Sequence, residues 1–144
     1  MELKAGTVVR MVDQWRKSFS GKPLPGEHVV IEDGWDPETV FIETGDMLSP
    51  TWLQPVRQMR YEEFQQFIEK KGILTRRTVE GLKPGTRVVF TPAWIRDNPE
   101  DAGTVFTVTD VRRQANSPFL IILGDRGTVN HAVIRIVRDG GAVQ

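Results

Sequence analysis

The sequence predicts a mostly β protein: two small β-barrels joined by a short α-helix and a linking strand. Three observations carry that expectation. A segment near the start recurs later in the chain, each copy is followed by short β-branched runs broken by turn residues, and one stretch between the copies has helical spacing of apolar residues.

The repeat comes first. Leu3-Lys4-Ala5-Gly6-Thr7-Val8-Val9-Arg10-Met11-Val12-Asp13-Gln14-Trp15 lines up with Leu82-Lys83-Pro84-Gly85-Thr86-Arg87-Val88-Val89-Phe90-Thr91-Pro92-Ala93-Trp94 at an offset of 79. Six of the thirteen positions are identical. Gly45-Asp46 and Gly124-Asp125 keep that offset, and Val56-Arg57 matches Val137-Arg138 after two extra residues. A period this long marks a duplicated domain rather than a solenoid repeat. The expected organisation is a first barrel over 1–58, a connecting helix and linking strand over 59–81, and a second barrel with a short tail over 82–144.

Within the first copy, Thr7–Val12, His28–Glu32 and Val40–Thr44 have the β-branched content and near-alternation of half-buried strands. Ser20–Gly26 reads as a loop and Asp33–Pro37 as a turn. In the second copy the strands are Arg87–Thr91, Thr104–Val111, Phe119–Leu123 and Val133–Val137, with breaks at Asp97–Asp101 and Gly124–Gly127. Ser49–Trp52 and Asn130–Val133 each precede the last strand, a natural place for one helical turn. Closing or nearly closing so small a sheet avoids long unpaired edges.

The run Lys83-Pro84-Gly85-Thr86-Arg87-Val88-Val89-Phe90, a loop, then Ala102-Gly103-Thr104-Val105-Phe106-Thr107-Val108, resembles the start of an SH3-like barrel of the KOW or Tudor-like kind. The first copy resembles it less, since its second strand opens at Gly26-Glu27-His28-Val29-Val30 without the small-residue pair. The resemblance implies a fold and a tendency to bind peptides or nucleic acid, and no particular activity.

Between the copies, Tyr61, Phe64, Phe67 and Ile68 place an apolar stripe on one helix face. Glu62 and Glu63 sit near its positive end and Lys70 and Lys71 near its negative end, as the helix dipole favours. Gly72 followed by Ile73 fits a C-terminal cap. Ile73–Glu80 then reads as an extended linking strand.

Composition sets the background. Lys plus Arg and Asp plus Glu each number 19, so the net charge is zero. Residues 1–58 hold six basic and nine acidic side chains, whereas residues 82–144 hold eight and six. That mild asymmetry argues against a strongly cationic nucleic-acid arm and against an acidic nucleic-acid mimic. Without cysteine there is no disulfide framework or thiolate nucleophile. No apolar run is long enough to span a bilayer and the start lacks a signal-peptide pattern, so the expectation is a cytoplasmic protein with no membrane contact.

The candidate partner-binding residues are Trp15, Trp35 and Trp94. Trp15 and Trp94 follow the first strand of their copies, at the loop edge that helps to line the groove in SH3-like barrels. Each is either a binding anchor or a plug closing the barrel end, and burial habits favour the plug. Trp35 sits in a turn collared by Asp33, Asp36 and Glu38, an arrangement suited to a basic or methylated peptide. The other reading, which burial habits favour, is a ring folded back over the barrel end. Trp52 reads as core. Glu32, Asp33, Asp36 and Glu38 lack calcium-loop spacing and read as turn chemistry rather than a metal site.

Arg87, Arg96, Arg112 and Arg113, with Arg135 and Arg138 beyond them, could together form a phosphate-binding patch, although adjacent strand residues such as Arg112 and Arg113 point to opposite sides. Ordinary solvated charge is the blander reading. His28 and His131 show no nucleophile pattern, and no Gly-rich phosphate loop or metal motif is present, so no catalytic residue, cofactor or metal is assigned. The leading expectation is a non-enzymatic module recognising a protein partner through a composite surface of two barrels, of the kind a small phage or mobile-element regulator or inhibitor uses. Nucleic-acid binding by the second barrel is the alternative, and an enzyme with a site between the modules the third.

Overall fold

The computed structural model describes residues 3–12, 26–36, 38–114 and 117–138. Eleven strands and two α-helices lie among them, so the fold is mostly β, and the strands form three antiparallel sheets. The chain divides into two units, Met1–Gln65 and Gln66–Gln144. Among the described residues no helix is long and apolar enough to cross a membrane.

In the first unit, β1 (Thr7–Met11), β2 (Glu27–Asp33), β3 (Val40–Ile42), β4 (Met47–Leu48) and β5 (Leu53–Gln58) make one sheet in the order β4-β3-β2-β1-β5. β2 serves two neighbours. Its start pairs with β1 and its end with β3, with an irregularity between Val30 and Glu32 that lets the strand bend from one partner to the other. Leu3, Val9, Met11, Val30, Val40, Ile42, Leu48 and Leu53 form the core beneath. A single turn of 3-10 helix, Pro50–Trp52, leads into β5, capped by the Ser49 hydroxyl accepting the Thr51 N–H.

The helix α1 (Tyr61–Lys71) forms where the apolar stripe predicts it, with Phe64 and Ile68 buried and Tyr61 exposed. Gly72, at φ 69°, ends it as expected. The Gly72 N–H donates to Glu69 O and the Ile73 N–H to Ile68 O, satisfying two terminal carbonyls.

The second unit holds β6 (Arg87–Phe90), α2 (Pro92–Asp97), β7 (Phe106–Thr107), β8 (Asp110–Gln114), β9 (Ser117–Ile122), β10 (Thr128–Val129) and β11 (Ile134–Ile136). Its sheets run β11-β6-β7 and β10-β9-β8. The Thr104–Val111 strand expected there is interrupted. Val108 bonds toward β6 through the Gly85 N–H and Thr86 O, while the Thr109 N–H already donates to Ile122 O in β9. The chain changes sheets at that step.

Hydrogen bonds recur between the units residue for residue. The Gly6 N–H donates to Val30 O and the Gly85 N–H to Val108 O, both at 2.7 Å. Thr7 Oγ1 donates to Lys4 O and Thr86 Oγ1 to Lys83 O. The Val12 N–H meets Trp52 O as the Thr91 N–H meets Val133 O. Met11 lies opposite Leu53 as Phe90 lies opposite Ile134. Asn130 caps the helical turn His131–Val133 as Ser49 caps its counterpart. With β7 and β8 taken as two halves of one bent strand, the order β10-β9-(β8/β7)-β6-β11 repeats that of the first unit.

Four expectations need correction. No closed barrel forms among the described residues: β4 pairs only with β3 and β5 only with β1, so no ladder joins the ends of the sheet. Ile73–Glu80 is not a linking strand. Only Ile73 bridges a strand, at Arg135, and Thr75 and Thr78 then exchange side-chain and backbone hydrogen bonds that turn the chain into a short 3-10 helix, Val79–Gly81. Trp94 is not on an open loop but in α2, which Thr91 caps and Pro92 opens. Finally, Gly45-Asp46 corresponds to Arg126-Gly127 rather than Gly124-Asp125, because Ile42 N–H to Asp46 O matches Leu123 N–H to Gly127 O. The extra residues enter earlier, in the β8–β9 hairpin.

The open edges differ in one respect. The Ile136 N–H of β11 donates outward to Gly72 O. The register puts Pro55 of β5 at the corresponding place, and proline has no N–H to offer.

Candidate binding pocket

Trp35, Asp33, Asp36 and Glu38 meet in one concave pocket of about 480 Å³ on the first unit. Buried Leu3 and Val40 give it an apolar floor, and Pro50 also lines it. Asp33, Asp36 and Glu38 are exposed at the rim, and Trp35 is 37% exposed.

The turn between β2 and β3 builds this shape. The Gly34 N–H donates to Thr39 O at 2.9 Å, and Thr39 Oγ1 donates to Asp36 O at 2.7 Å. A side chain at Gly34 would press on the Thr39 hydroxyl and the Met47 thioether, so either would have to shift to admit one. Glu38 adopts φ 65°, a conformation non-glycine residues enter at a cost. The Trp35 backbone N–H donates to Met47 Sδ at 3.2 Å, and its ring meets Phe41 edge-on, ring centroids 5.5 Å apart. A fixed indole beside three carboxylates can attract a cation through both the ring face and direct charge. Among the described residues no cluster of ligating side chains could hold a metal ion.

Trp94 has the opposite character. Its ring stacks on Phe90 at 4.7 Å and 12°, and Nε1 donates to Asp101 Oδ2 at 2.8 Å. The Arg126 guanidinium lies over both rings, 5.3 Å from Phe90 and 5.7 Å from Trp94, and Nη2 donates to Asp101 Oδ2 at 2.9 Å. Phe106 meets Phe90 edge-on. Trp94 is therefore an anchored part of the second unit's packing. Trp15 lies outside the described residues.

Asp101 is held below the usual carboxylate range by the hydrogen bond from Arg126 first and that from Trp94 second. A carboxylate depressed in the folded state stabilises fully above its ordinary value near 3.8, and the contribution is lost as pH falls through the lower folded value. Asp101→Asn is expected to lower the melting temperature at neutral pH. The gap from wild type should close in acid below that window; a gap independent of pH would show that the charge is not what Asp101 contributes.

The arginine candidates are spread over several elements. Arg87 is on β6 and Arg112 and Arg113 on β8, which belong to different sheets, while Arg96 is in the last turn of α2. Arg112 pairs with Asp110 at 3.0 Å and Arg113 with Glu80 at 3.5 Å. His28 is buried, its Nδ1 2.9 Å from Glu43 Oε2, while Glu43 Oε1 accepts the Val29 N–H. That brace of the β2–β3 hairpin joins residues too far apart in sequence to be read as a pair. His131 is buried at the start of its helical turn. Compared with known proteins, the chain matches no family model, no curated protein and no solved structure.

Proposed function

We propose that the chain is a non-enzymatic recognition protein whose first unit captures a basic side chain of a protein partner in the Trp35 pocket. The observation that carries this reading is the juxtaposition of a half-exposed, braced indole with three exposed carboxylates over an apolar floor. Such a site offers a cationic side chain contact for its aliphatic stem and charge for its head. The left-handed Glu38 adds support, since a strained residue persists where its placement serves a site. Each unit reads as a partly open SH3-like module, supported by the shared strand order and the capped helical turn before the last strand.

Titration with a short Lys/Arg/Gly peptide tests the pocket. Saturable binding is expected at low ionic strength, weakened at least about tenfold, or about 1.4 kcal/mol, by Trp35→Ala and by Asp36→Lys. Both variants should melt close to wild type. Glu38→Gly should leave stability unchanged or raise it by up to about 1 kcal/mol, since it relieves a left-handed conformation, and should weaken the peptide. Equal affinity in all four proteins would overturn the assignment.

A further inference from the structure

Charge is divided unevenly between the units and, within the second, between the two ends of β6. Residues 1–65 carry seven basic and eleven acidic side chains, residues 66–144 twelve and eight. Where β6 begins, five cations from three elements come together. The Thr86 N–H donates to Lys83 O, turning the chain from Lys83 into the strand that Arg87 opens. The Val137 N–H donates to Arg87 O, which brings Arg138 alongside. Arg138 Nε in turn donates at 2.7 Å to Glu69 O in the last turn of α1, which holds Lys70 and Lys71. All five side chains are exposed, and among the described residues no carboxylate pairs with any of them.

Most acids of this unit are engaged or remote. Glu80 pairs with Arg113 at 3.5 Å and Asp110 with Arg112 at 3.0 Å. Asp97 closes α2, which leaves the far end of β6. Asp101 is held at that end by Trp94 and by Arg126, whose guanidinium lies over Phe90, and Glu100 and Asp125 adjoin these two in sequence. The four residues of β6 span about 13 Å. Salt at about 0.1 M screens exposed charges over roughly 10 Å, so the far acids do not cancel the near cations. Glu69 is the exposed acid that stands among them.

We propose that this basic end of the second unit, formed by Lys70, Lys71, Lys83, Arg87 and Arg138, docks on the phosphate backbone of a nucleic-acid double helix. Charge complementarity selects the occupant: exposed cations outside any ion pair meet a surface whose charge is repeated and of one sign. A single strand held through its bases needs open aromatic faces. Phe67, the ring beside Lys71, is half-buried with that ammonium over it, 5.5 Å from its centroid, so the surface addresses phosphates rather than bases. A protein partner would draw on apolar anchors at the centre of the contact, whereas the side chains that converge here are charged. Arg87 and Arg138 were visible in the sequence as candidates; the fold adds the three lysines. The inference is independent of the Trp35 pocket, which lies on the first unit.

Fluorescence anisotropy of a short labelled duplex, titrated with the full chain, tests this. Saturable binding is expected at low ionic strength, with the same affinity for unrelated sequences. The slope of log affinity against log salt should be about −4, at about 0.9 per phosphate contacted. Lys83→Gln/Arg87→Gln should weaken binding at least about tenfold and make that slope shallower by about 2. Arg87→Glu should weaken it far more than Arg96→Glu, which makes the same change of charge in α2 at the opposite end of β6. Melting temperatures on the same samples show whether each variant is folded. Lys70→Gln/Lys71→Gln, on the exposed end of α1, gives a second reading of the surface should the β6 variants unfold, and should also weaken binding. No binding at low salt, or equal losses from Arg87→Glu and Arg96→Glu, overturns the proposal. So does a preference for a single strand of the same length, or binding to vesicles of anionic phospholipid with none to the duplex.

Discussion

Replacing Gly72 with valine is expected to destabilise the second unit by at least about 4 kcal/mol, the range reached when a substitution breaks backbone packing outright. Two faults act at once. Gly72 sits at φ 69°, where a β-branched residue is strained by well over about 1 kcal/mol. A Cβ there would also lie 2.0 Å from the backbone oxygen of Ile136, which has no flexible end that could move aside. Relief requires separating the end of α1 from β11, and that forfeits the bond from the Ile136 N–H to Gly72 O. Gly72→Asn distinguishes the two faults, because asparagine tolerates the left-handed region but still carries a Cβ. The overlap should dominate, so asparagine should rescue little. Urea denaturation measures all of this; alanine, asparagine and valine variants within about 1 kcal/mol of wild type would disprove the close approach.

Gly72 also shows what the sequence could and could not disclose. Its place as a helix cap was legible, because caps are local and the apolar stripe before it sets the register. Its contact with Ile136 was not, since nothing local brings residues that far apart together. The same divide runs through the rest of the chain. Strands β1, β2, β3, β6, β9 and β11 and the helical turns before β5 and β11 were legible from short-range pattern and from the repeat, whereas the two-residue β4 and β10 and the break between β7 and β8 were not. The helix α2 was missed because six residues are too few to show periodicity, yet Thr91-Pro92 was a usable cap signal. Ile73–Glu80 was misread because β-branched residues resemble a strand, while the hydroxyls of Thr75 and Thr78 bond locally instead. The acidic collar of Trp35 was plain in the sequence. Its concavity was not, because Leu3 and Pro50 arrive from remote positions, and the Asp101–Arg126 pair was hidden for the same reason.

Trp94→Ala is expected to cost about 3 kcal/mol, near the lower end for deleting a large aromatic since the ring is only half-buried. The loss has several parts. The stack on Phe90 goes, the Asp101 carboxylate loses its indole donor, and Arg126 loses one of the two rings beneath it. Trp94→Phe keeps a ring over Phe90 but no donor, so it should recover part of the stability and not all of it. Trp35→Ala should behave otherwise. Trp35 is 37% exposed and braced at one edge, and its removal opens a surface site rather than a core, so the melting temperature should move little while peptide binding falls. Measured on the same preparations, melting temperature and peptide affinity should therefore separate the two tryptophans. Stability should follow Trp94 and binding should follow Trp35. If Trp94→Ala left stability intact but lost binding, the anchor would belong to the second unit and the pocket assignment would fail.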